Sequence, residues 1–168
     1  DRLATQGIRF LNGYATAATC TPSRYSLLTG SYSWRNERAR ILPGDAPLII
    51  DPSEVTIPSL LKKAGYTTGV VGKWHLGDQL KFLPNSQGFD HSLGLPYSDD
   101  MTRATGQRIG ERLRGNQWPP LPWIENEKVI EAPVDRNQMT QRETAAALKF
   151  IATNKDKPFF LYLPHNMP

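Results

Sequence analysis

The only cysteine of the chain, Cys20, opens the stretch "CTPSRYSLLTG", and Arg24 follows it at the spacing of one helical turn. Pro22 suits the first turn of a helix and Gly30 suits its end, so the stretch predicts a short helix with Cys20 at its N-cap. A helix N-terminus favours an anion, and Arg24 can fork onto two oxygens of a bound oxyanion. The pattern indicates an anion cradle around a sulfur nucleophile, or around a group made from it. A lone buried cysteine acting as a small apolar side chain is the alternative.

The position of the arginine argues against one class of enzyme. Cysteine phosphatases also pair a thiolate with an arginine, but their arginine lies six residues after the cysteine. In this chain Ser26 holds that position, and Arg24 comes two residues earlier.

A second group of residues with chemical potential lies in "GYTTGVVGKWHLG". The β-branched run "YTTGVVGKW" is typical of a buried strand, and its far end carries Lys73 and His75. Because ligands gather beyond the carboxyl ends of the strands in an open α/β sheet, these two side chains are expected at the site. The structural alternatives are a surface lysine and a histidine that packs against Trp74.

Helices and strands that alternate along the chain are predicted to position these residues. Thr56 suits an N-cap, Pro58 suits the first turn, and Gly65 suits the end of a helix. The apolar face of this predicted helix is expected to consist of Leu60, Leu61 and Ala64.

The remaining elements are predicted from shorter patterns. A helix over residues 2–6 ends at Gly7, and "IRFLNGYA" is expected to form a short strand. "TQRETAAALKFIATN" predicts a helix with a Thr140–Glu143 capping box, and "FFLYL" predicts a strand. Loops are expected over residues 31–52 and 84–136, the latter as a loop-rich excursion with little regular structure. The alternation predicts an α/β fold with a mainly parallel sheet and crossover helices.

The amino-acid composition limits the classes of protein to which this chain can belong. The 168 residues are 39% hydrophobic and 21% charged, which fits a globular domain with a real core. The sequence contains no run of about 18 apolar residues, so it predicts no membrane span. The net charge of +4 suits an anionic substrate but gives no argument for nucleic acid, and the basic stretch "MTRATGQRIGERLRGNQ" is interpreted as a solvated loop. A single cysteine does not fix the redox compartment.

These motifs together resemble the type I sulfatases. "CTPSR" followed by "LLTG" is similar to their first signature, and "GYTTGVVGKWHLG" is similar to their second. "GFDHSLGLPYSDDM" and "PFFLYLPHNMP" extend the likeness, which is closest to proteins of the arylsulfatase A type. The resemblance implies a partial alkaline-phosphatase/sulfatase-like fold. It also implies that residues 1–168 are an internal fragment of an N-terminal catalytic domain, without its first strand and C-terminal part.

The resemblance also implies a reaction. In that family the signature cysteine is oxidised to formylglycine, whose hydrate attacks the sulfur of a sulfate ester. Cys20 would be the precursor of this nucleophile, and Arg24 would hold the hydrate near the metal. Lys73 would bind the sulfate oxygens, and His75 would contact the hydrate and assist the loss of sulfate. Ser98 would lie near the substrate sulfate, with a plain turn residue as the alternative.

Three further residues are expected to lie outside the chemistry. Asp99 and Asp100 could be mistaken for metal ligands but are interpreted as turn residues. His165 is interpreted as a neighbour of the family's catalytic histidine, which would correspond to the residue after Pro168.

The resemblance implies one Ca²⁺ per site, held by residues mostly outside this segment, with Cys20 as formylglycine among its ligands. Since Ca²⁺ takes six to eight oxygen ligands, the segment alone is expected to be inactive. The implied partners are a sulfated small molecule or sulfated carbohydrate, and a formylglycine-generating enzyme for maturation. The habit of the family implies an extracytoplasmic location, which is periplasmic or secreted in bacteria and lysosomal in eukaryotes.

Two other functions fit the same residues. The first is a formylglycine-dependent phosphonate or phosphate ester hydrolase, because related proteins share the Cys-x-Pro-x-Arg core. The second is a non-catalytic module that binds sulfated glycans and keeps Cys20 as a thiol.

Overall fold

A computed structural model describes residues 1–42, 49–101 and 120–166. The helices are α1 (Arg2–Gln6), α2 (Cys20–Thr29), α3 (Ile57–Lys63) and α4 (Met139–Asn154). The strands are β1 (Thr67–Val71), β2 (His91–Gly94), β3 (Trp123–Glu125), β4 (Lys128–Glu131) and β5 (Phe159–Tyr162). The basic stretch that follows Met101, which was interpreted as a solvated loop, lies almost entirely outside the described residues.

The five strands form one sheet in the order β4-β3-β2-β1-β5. Strand β1 pairs in parallel with β2 and β5, whereas β3 pairs antiparallel with β2 and β4. The chain thus has an α/β fold in which a parallel centre is extended by an antiparallel hairpin. This confirms the predicted fold class, with crossover through α4 between the hairpin and β5.

Two apolar clusters hold these layers together. The first packs α2 against one face of the sheet, and its members include Tyr25, Leu28, Val70 and Trp74. The second lies under the hairpin and joins Trp123 to residues such as Met139 of α4. The segment that follows β1 lies beside the first turns of α2, since Thr21 and Arg24 donate to the carbonyls of His75 and Lys73.

Several predicted elements are present at the expected places. Helix α1 ends before Gly7, and Gly30 ends α2 in the left-handed conformation with φ of 71°. Thr56 caps α3 as expected, with a capping box in which Ser59 is the partner. Strands β1 and β5 coincide with the two predicted β-branched and aromatic runs.

Three local expectations are wrong. No strand forms over "IRFLNGYA": Ile8 and Tyr14 are 81% and 91% exposed, and no described strand lies beside them to pair with their backbone. In α3, Leu60 is 57% exposed, so the helix does not present the expected apolar face. The Thr140–Glu143 capping box is also absent, because α4 begins earlier, at Met139, and Glu143 is buried in its first turns.

The described part of the range 84–136 contains three strands that the sequence analysis missed, namely β2, β3 and β4. Each is only three or four residues long, and β4 is largely exposed, so none shows the apolar alternation that identifies a strand. The turn between β3 and β4 includes Asn126 with φ of 55°, a conformation that asparagine tolerates. In the described part of the chain, no helix combines the length and apolarity that a membrane crossing requires.

Candidate active site

Helix α2 presents Cys20 at its first turn. Thr19 is the N-cap and Cys20 is the first helical residue, so the helix begins one residue earlier than predicted. The next side chain, Thr21, is fully buried, and its hydroxyl donates to the carbonyl of His75 at 3.0 Å. Thr21 therefore ties the start of α2 to the segment after β1. The sequence analysis missed this role because nothing local distinguishes such a threonine.

The segment after β1 holds His75 in an unusual and fixed position. Its backbone has φ of 61°, and its N–H donates to the carbonyl of Pro96 at 3.0 Å. The imidazole is 1% exposed, and Nε2 lies 2.8 Å from the carbonyl of Leu42. Because a carbonyl only accepts, Nε2 carries the proton of this hydrogen bond. The buried Nδ1 has no partner of ordinary hydrogen-bond geometry, so it is left available toward Cys20.

The surroundings of Cys20 favour an anion. The pKa of its thiol is lowered to about 6, chiefly by a hydrogen-bonding interaction with the His75 side chain. Burial opposes this shift, while the charges of His75 and Lys73 and the backbone of Thr21 support it. The position that the sequence predicted as an anion cradle is thus electrostatically positive.

This shift can be measured on protein whose Cys20 is still a thiol. A thiol with pKa near 6 is mostly thiolate at pH 7, so alkylation by iodoacetamide should reach half of its maximal rate near pH 6 and slow below it. Mass spectrometry of the peptide "FLNGYATAATCTPSR" would follow the reaction. Lys73→Met should move the midpoint to higher pH, because a positive charge near the thiolate is lost. A wild-type midpoint at the ordinary thiol pKa would contradict the prediction.

Lys73 reaches the site from the end of β1. Its Nζ donates to the hydroxyl of Ser98 at 2.8 Å. Burial lowers the pKa of this ammonium and the charge of Arg24 acts in the same direction, whereas Cys20 and the carboxylates of Asp100 and Asp99 oppose the shift. Lys73 and Ser98 are therefore brought together with Cys20, as the sequence analysis expected.

The loop that carries Ser98 is held by Arg136. Asp99 and Asp100 form a turn, as predicted, with the N–H of Met101 bonded to the carbonyl of Ser98 at 3.0 Å. Arg136 Nη2 donates to the carbonyl of Asp99 at 2.5 Å. These contacts fix the position of the Ser98 hydroxyl, which accepts the hydrogen bond from Lys73.

Arg24 joins α2 to the same strand end. Its Nη1 donates to the carbonyl of Lys73, and its side chain also interacts with the hydroxyl of Tyr162. Burial raises the pKa of Tyr162, with Arg24 opposing that shift. Part of the arginine fork is thus used to position Lys73, a role that the sequence analysis did not foresee.

An open cleft of about 510 Å³ lies beside Cys20. Its wall includes Arg24, Tyr162 and the segment before α2, whereas Lys73, His75 and Ser98 do not line it. His165 is directed elsewhere, since its Nδ1 lies 2.8 Å from Glu143 Oε2. Of the four predicted catalytic residues, Cys20 and Arg24 line this cleft, and Lys73 and His75 do not.

The described residues do not provide a metal site. Within residues 1–42, 49–101 and 120–166, no group of three or more His, Cys, Asp or Glu side chains is placed to hold a metal ion. Cys20 by itself would supply a single donor, which does not meet the six to eight oxygens that Ca²⁺ takes. The described residues therefore do not fit calcium without further ligands.

Comparison with known proteins assigns this chain to a family. The model of the Sulfatase family matches residues 1–167, and the chain belongs to that family. The N-acetylgalactosamine-6-O-sulfatase of Bacteroides thetaiotaomicron is 37% identical over 97% of this chain and 41% of its own length. Human arylsulfatase G is 36% identical over 97% of this chain and 34% of its own length. The chain thus spans well under half of these curated relatives.

Solved structures agree with this assignment. A Bacteroides thetaiotaomicron sulfatase connected with the metabolism of multiple glycosaminoglycans superposes with a TM-score of 0.80 at 31% identity. That match covers 99% of this chain and 45% of the other. A protein solved with its substrate D-glucosamine-2-N,6-O-disulfate gives a TM-score of 0.60 at 32% identity, over 99% of this chain and 28% of the other. These neighbours have the alkaline-phosphatase-like fold that the sequence predicted.

Proposed function

We propose that the protein to which this chain belongs hydrolyses sulfate esters through a formylglycine made from Cys20. The observation that carries the proposal is the positive environment of Cys20, where His75 and Lys73 lower the pKa of the thiol to about 6. Groups that favour a negative charge at this position suit a nucleophile that is an oxyanion in the reaction and attacks an anionic ester. The named activities of the sulfatase relatives support the same reaction.

The proposed chemistry has two stages, which are the oxidation of Cys20 and the hydrolysis of the sulfate ester. A separate enzyme oxidises the CH₂–SH of Cys20 by two electrons, which reduce molecular oxygen to hydrogen peroxide. Water supplies the oxygen of the resulting aldehyde, and the sulfur leaves as hydrogen sulfide. Hydration of the aldehyde gives two hydroxyls on one carbon. One hydroxyl loses its proton and attacks the ester sulfur, and the S–O bond to the alcohol breaks. The second hydroxyl then loses its proton, the C=O bond forms again, and sulfate leaves with the bonding electron pair.

Each neighbouring side chain has a place in this scheme. Lys73, fixed by Ser98, supplies positive charge to the sulfate oxygens. The His75 side chain interacts with Cys20, and its buried Nδ1 has no other hydrogen-bond partner, so it is suited to take the proton of the second hydroxyl. Arg24 holds the end of β1 against α2, and so keeps Lys73 beside the reacting group.

A calcium ion, if the full-length protein holds one, would require ligands that the described residues do not supply. When bound, such an ion would add charge stabilisation for the sulfate group. None of the roles given above to Lys73, His75 or Arg24 depends on it.

The substrate class we propose is a sulfated carbohydrate, with aryl sulfates as usable surrogates. The first relative is named for a 6-O-sulfated amino sugar, and one solved neighbour binds a disulfated glucosamine. The open cleft beside Cys20 is compatible with a sugar ring. We further propose that the chain is part of an N-terminal catalytic domain, that a formylglycine-generating enzyme is its maturation partner, and that the protein works outside the cytoplasm.

Two measurements on the full-length protein from its native host test the proposal. The mass of the peptide "FLNGYATAATCTPSR" should show aldehyde oxygen in place of the Cys20 sulfur. The same preparation should hydrolyse 4-nitrophenyl sulfate faster than 4-nitrophenyl phenylphosphonate. The reverse preference would identify a phosphonate hydrolase. An intact thiol in a protein that binds sulfated glycans without turnover would identify a binding module, and either result would contradict the proposal.

A further inference from the structure

A fully buried carboxylate lies beside the chain segment that follows β5. Glu143, in the first turns of α4, is 0% exposed. Its Oε2 lies 2.8 Å from His165 Nδ1, and its Oε1 accepts from the side-chain amide of Asn166. Both partners belong to one short stretch, so a single carboxylate fastens that stretch to the helix.

Because the Glu143 carboxylate is buried, it needs its hydrogen bonds to His165 and Asn166. An ionised carboxylate only accepts hydrogen bonds, and removing it from water is costly unless donors replace the water. The described structure offers these two donors, an imidazole N–H and an amide N–H. Glu143 can therefore be satisfied only while His165 and Asn166 remain where they are, which makes it a positional lock rather than a surface ion pair.

The locked stretch is in direct contact with the candidate active site. The backbone N–H of Lys73 donates to the carbonyl of Pro164 at 2.9 Å, and Pro164 directly precedes His165 in the chain. The approach is so close that a Cβ on Gly72 would lie 2.2 Å from the same carbonyl oxygen. A shift of residues 164–166 would thus be transmitted to the backbone of Lys73, whose Nζ must reach Ser98.

We propose that Glu143 is a positioning residue for sulfate ester hydrolysis, which acts through His165, Asn166 and Pro164 on Lys73. The inference rests on the proposed function for its catalytic consequence. Glu143 itself has no contact with the reacting groups, and its effect is to fix the distance between the ends of β5 and β1.

The test uses the full-length protein, four variants, and the combination of the first and third of them. Glu143→Ala removes the lock, Glu143→Gln keeps its shape and part of its hydrogen bonding, and His165→Ala/Asn166→Ala removes the two donors. Lys149→Ala, an exposed change on the same helix, is the matched control. The readouts are kcat and KM for 4-nitrophenyl sulfate, the formylglycine content of Cys20, and hydrogen exchange of a peptide that contains Lys73.

We expect kcat to fall about 10- to 100-fold in Glu143→Ala, as for other mispositioned active sites, with KM changed less than about threefold and formylglycine content unchanged. Glu143→Gln should recover part of the loss. The double variant should lose as much as Glu143→Ala, and combining the two should add nothing further, because both break one linkage. Exchange at Lys73 should be faster in Glu143→Ala than in Lys149→Ala.

Separate outcomes test the two proposals. Wild-type protein that does not hydrolyse the sulfate overturns the proposed function, and the exchange rate at Lys73 then decides the inference by itself. If wild-type protein is active, unchanged kcat in Glu143→Ala, or multiplying losses in the combined variant, overturns the positioning role. If Glu143→Ala does not fold, Glu143→Gln and the double variant provide the same comparison.

Discussion

Replacing Cys20 by alanine in the full-length protein should lower kcat for an aryl sulfate by about 10⁴-fold or more. Alanine carries no sulfur that can be oxidised, so neither the aldehyde nor its hydrate can form. His75 and Lys73 would then face a methyl group in place of the group whose negative charge they favour. Steady-state kinetics with 4-nitrophenyl sulfate would measure the loss.

The matched control for this change lies next to the opposite end of the same helix. Ser31 follows Gly30 and does not line the cleft beside Cys20, so Ser31→Ala should keep the wild-type kcat. Thermal unfolding of both variants should stay close to wild type, since Cys20 is only partly buried. A Cys20→Ala protein that retains a tenth of the activity would show that ester cleavage takes place without this residue.

The second large effect is expected at Lys73. Lys73→Ala should lower kcat by about 10²- to 10³-fold, the range found when one preorganised charge is removed from a transition state. The ammonium is half-buried, and its Nζ lies 2.8 Å from the Ser98 hydroxyl. A water molecule that entered the space left by the side chain would carry no positive charge. Lys73→Arg should recover little, because a planar guanidinium does not fit the place of a compact ammonium.

Lys63→Ala is the control for charge alone. Lys63 is exposed in the last turn of α3, and its loss removes one positive charge from the protein without touching the site. Its kcat should equal that of wild type. If both lysine variants lose activity to the same small extent, Lys73 would act only through overall charge, and its role at the sulfate would be refuted.

The elements that carry the chemistry were predictable because their signals are local. The proline and glycine around α2, the β-branched run of β1 and the aromatic run of β5 each specify one element. Cys20, Lys73 and His75 follow from these elements, because β1 ends beside the start of α2. Sequence reasoning was therefore sufficient for β1 and β5 and for placing Lys73 and His75 at the carboxyl end of β1, whereas it missed the central strand β2.

The remaining features depend on contacts between distant parts of the chain. Strands β3 and β4 are short and partly exposed, so their pairing defines them better than their composition. Glu143 fits a capping box by its spacing, yet its carboxylate turns toward His165, 22 residues later. Thr21 likewise bonds to a carbonyl 54 residues away. No local pattern encodes such partners.

The burial of Thr21 and Pro22 has a consequence for the biosynthesis of the protein. Both side chains follow Cys20 directly and are buried once α2 has packed, and the bond from Thr21 to His75 closes over them. If Cys20 is oxidised to formylglycine as proposed, an enzyme that reads Cys20 and its neighbours by their side chains would have to act before α2 has packed against the segment around His75. A chain that folds first would then keep its thiol. The fraction of active molecules would then be set by a race between oxidation and folding, and slower translation after residue 24 would raise it.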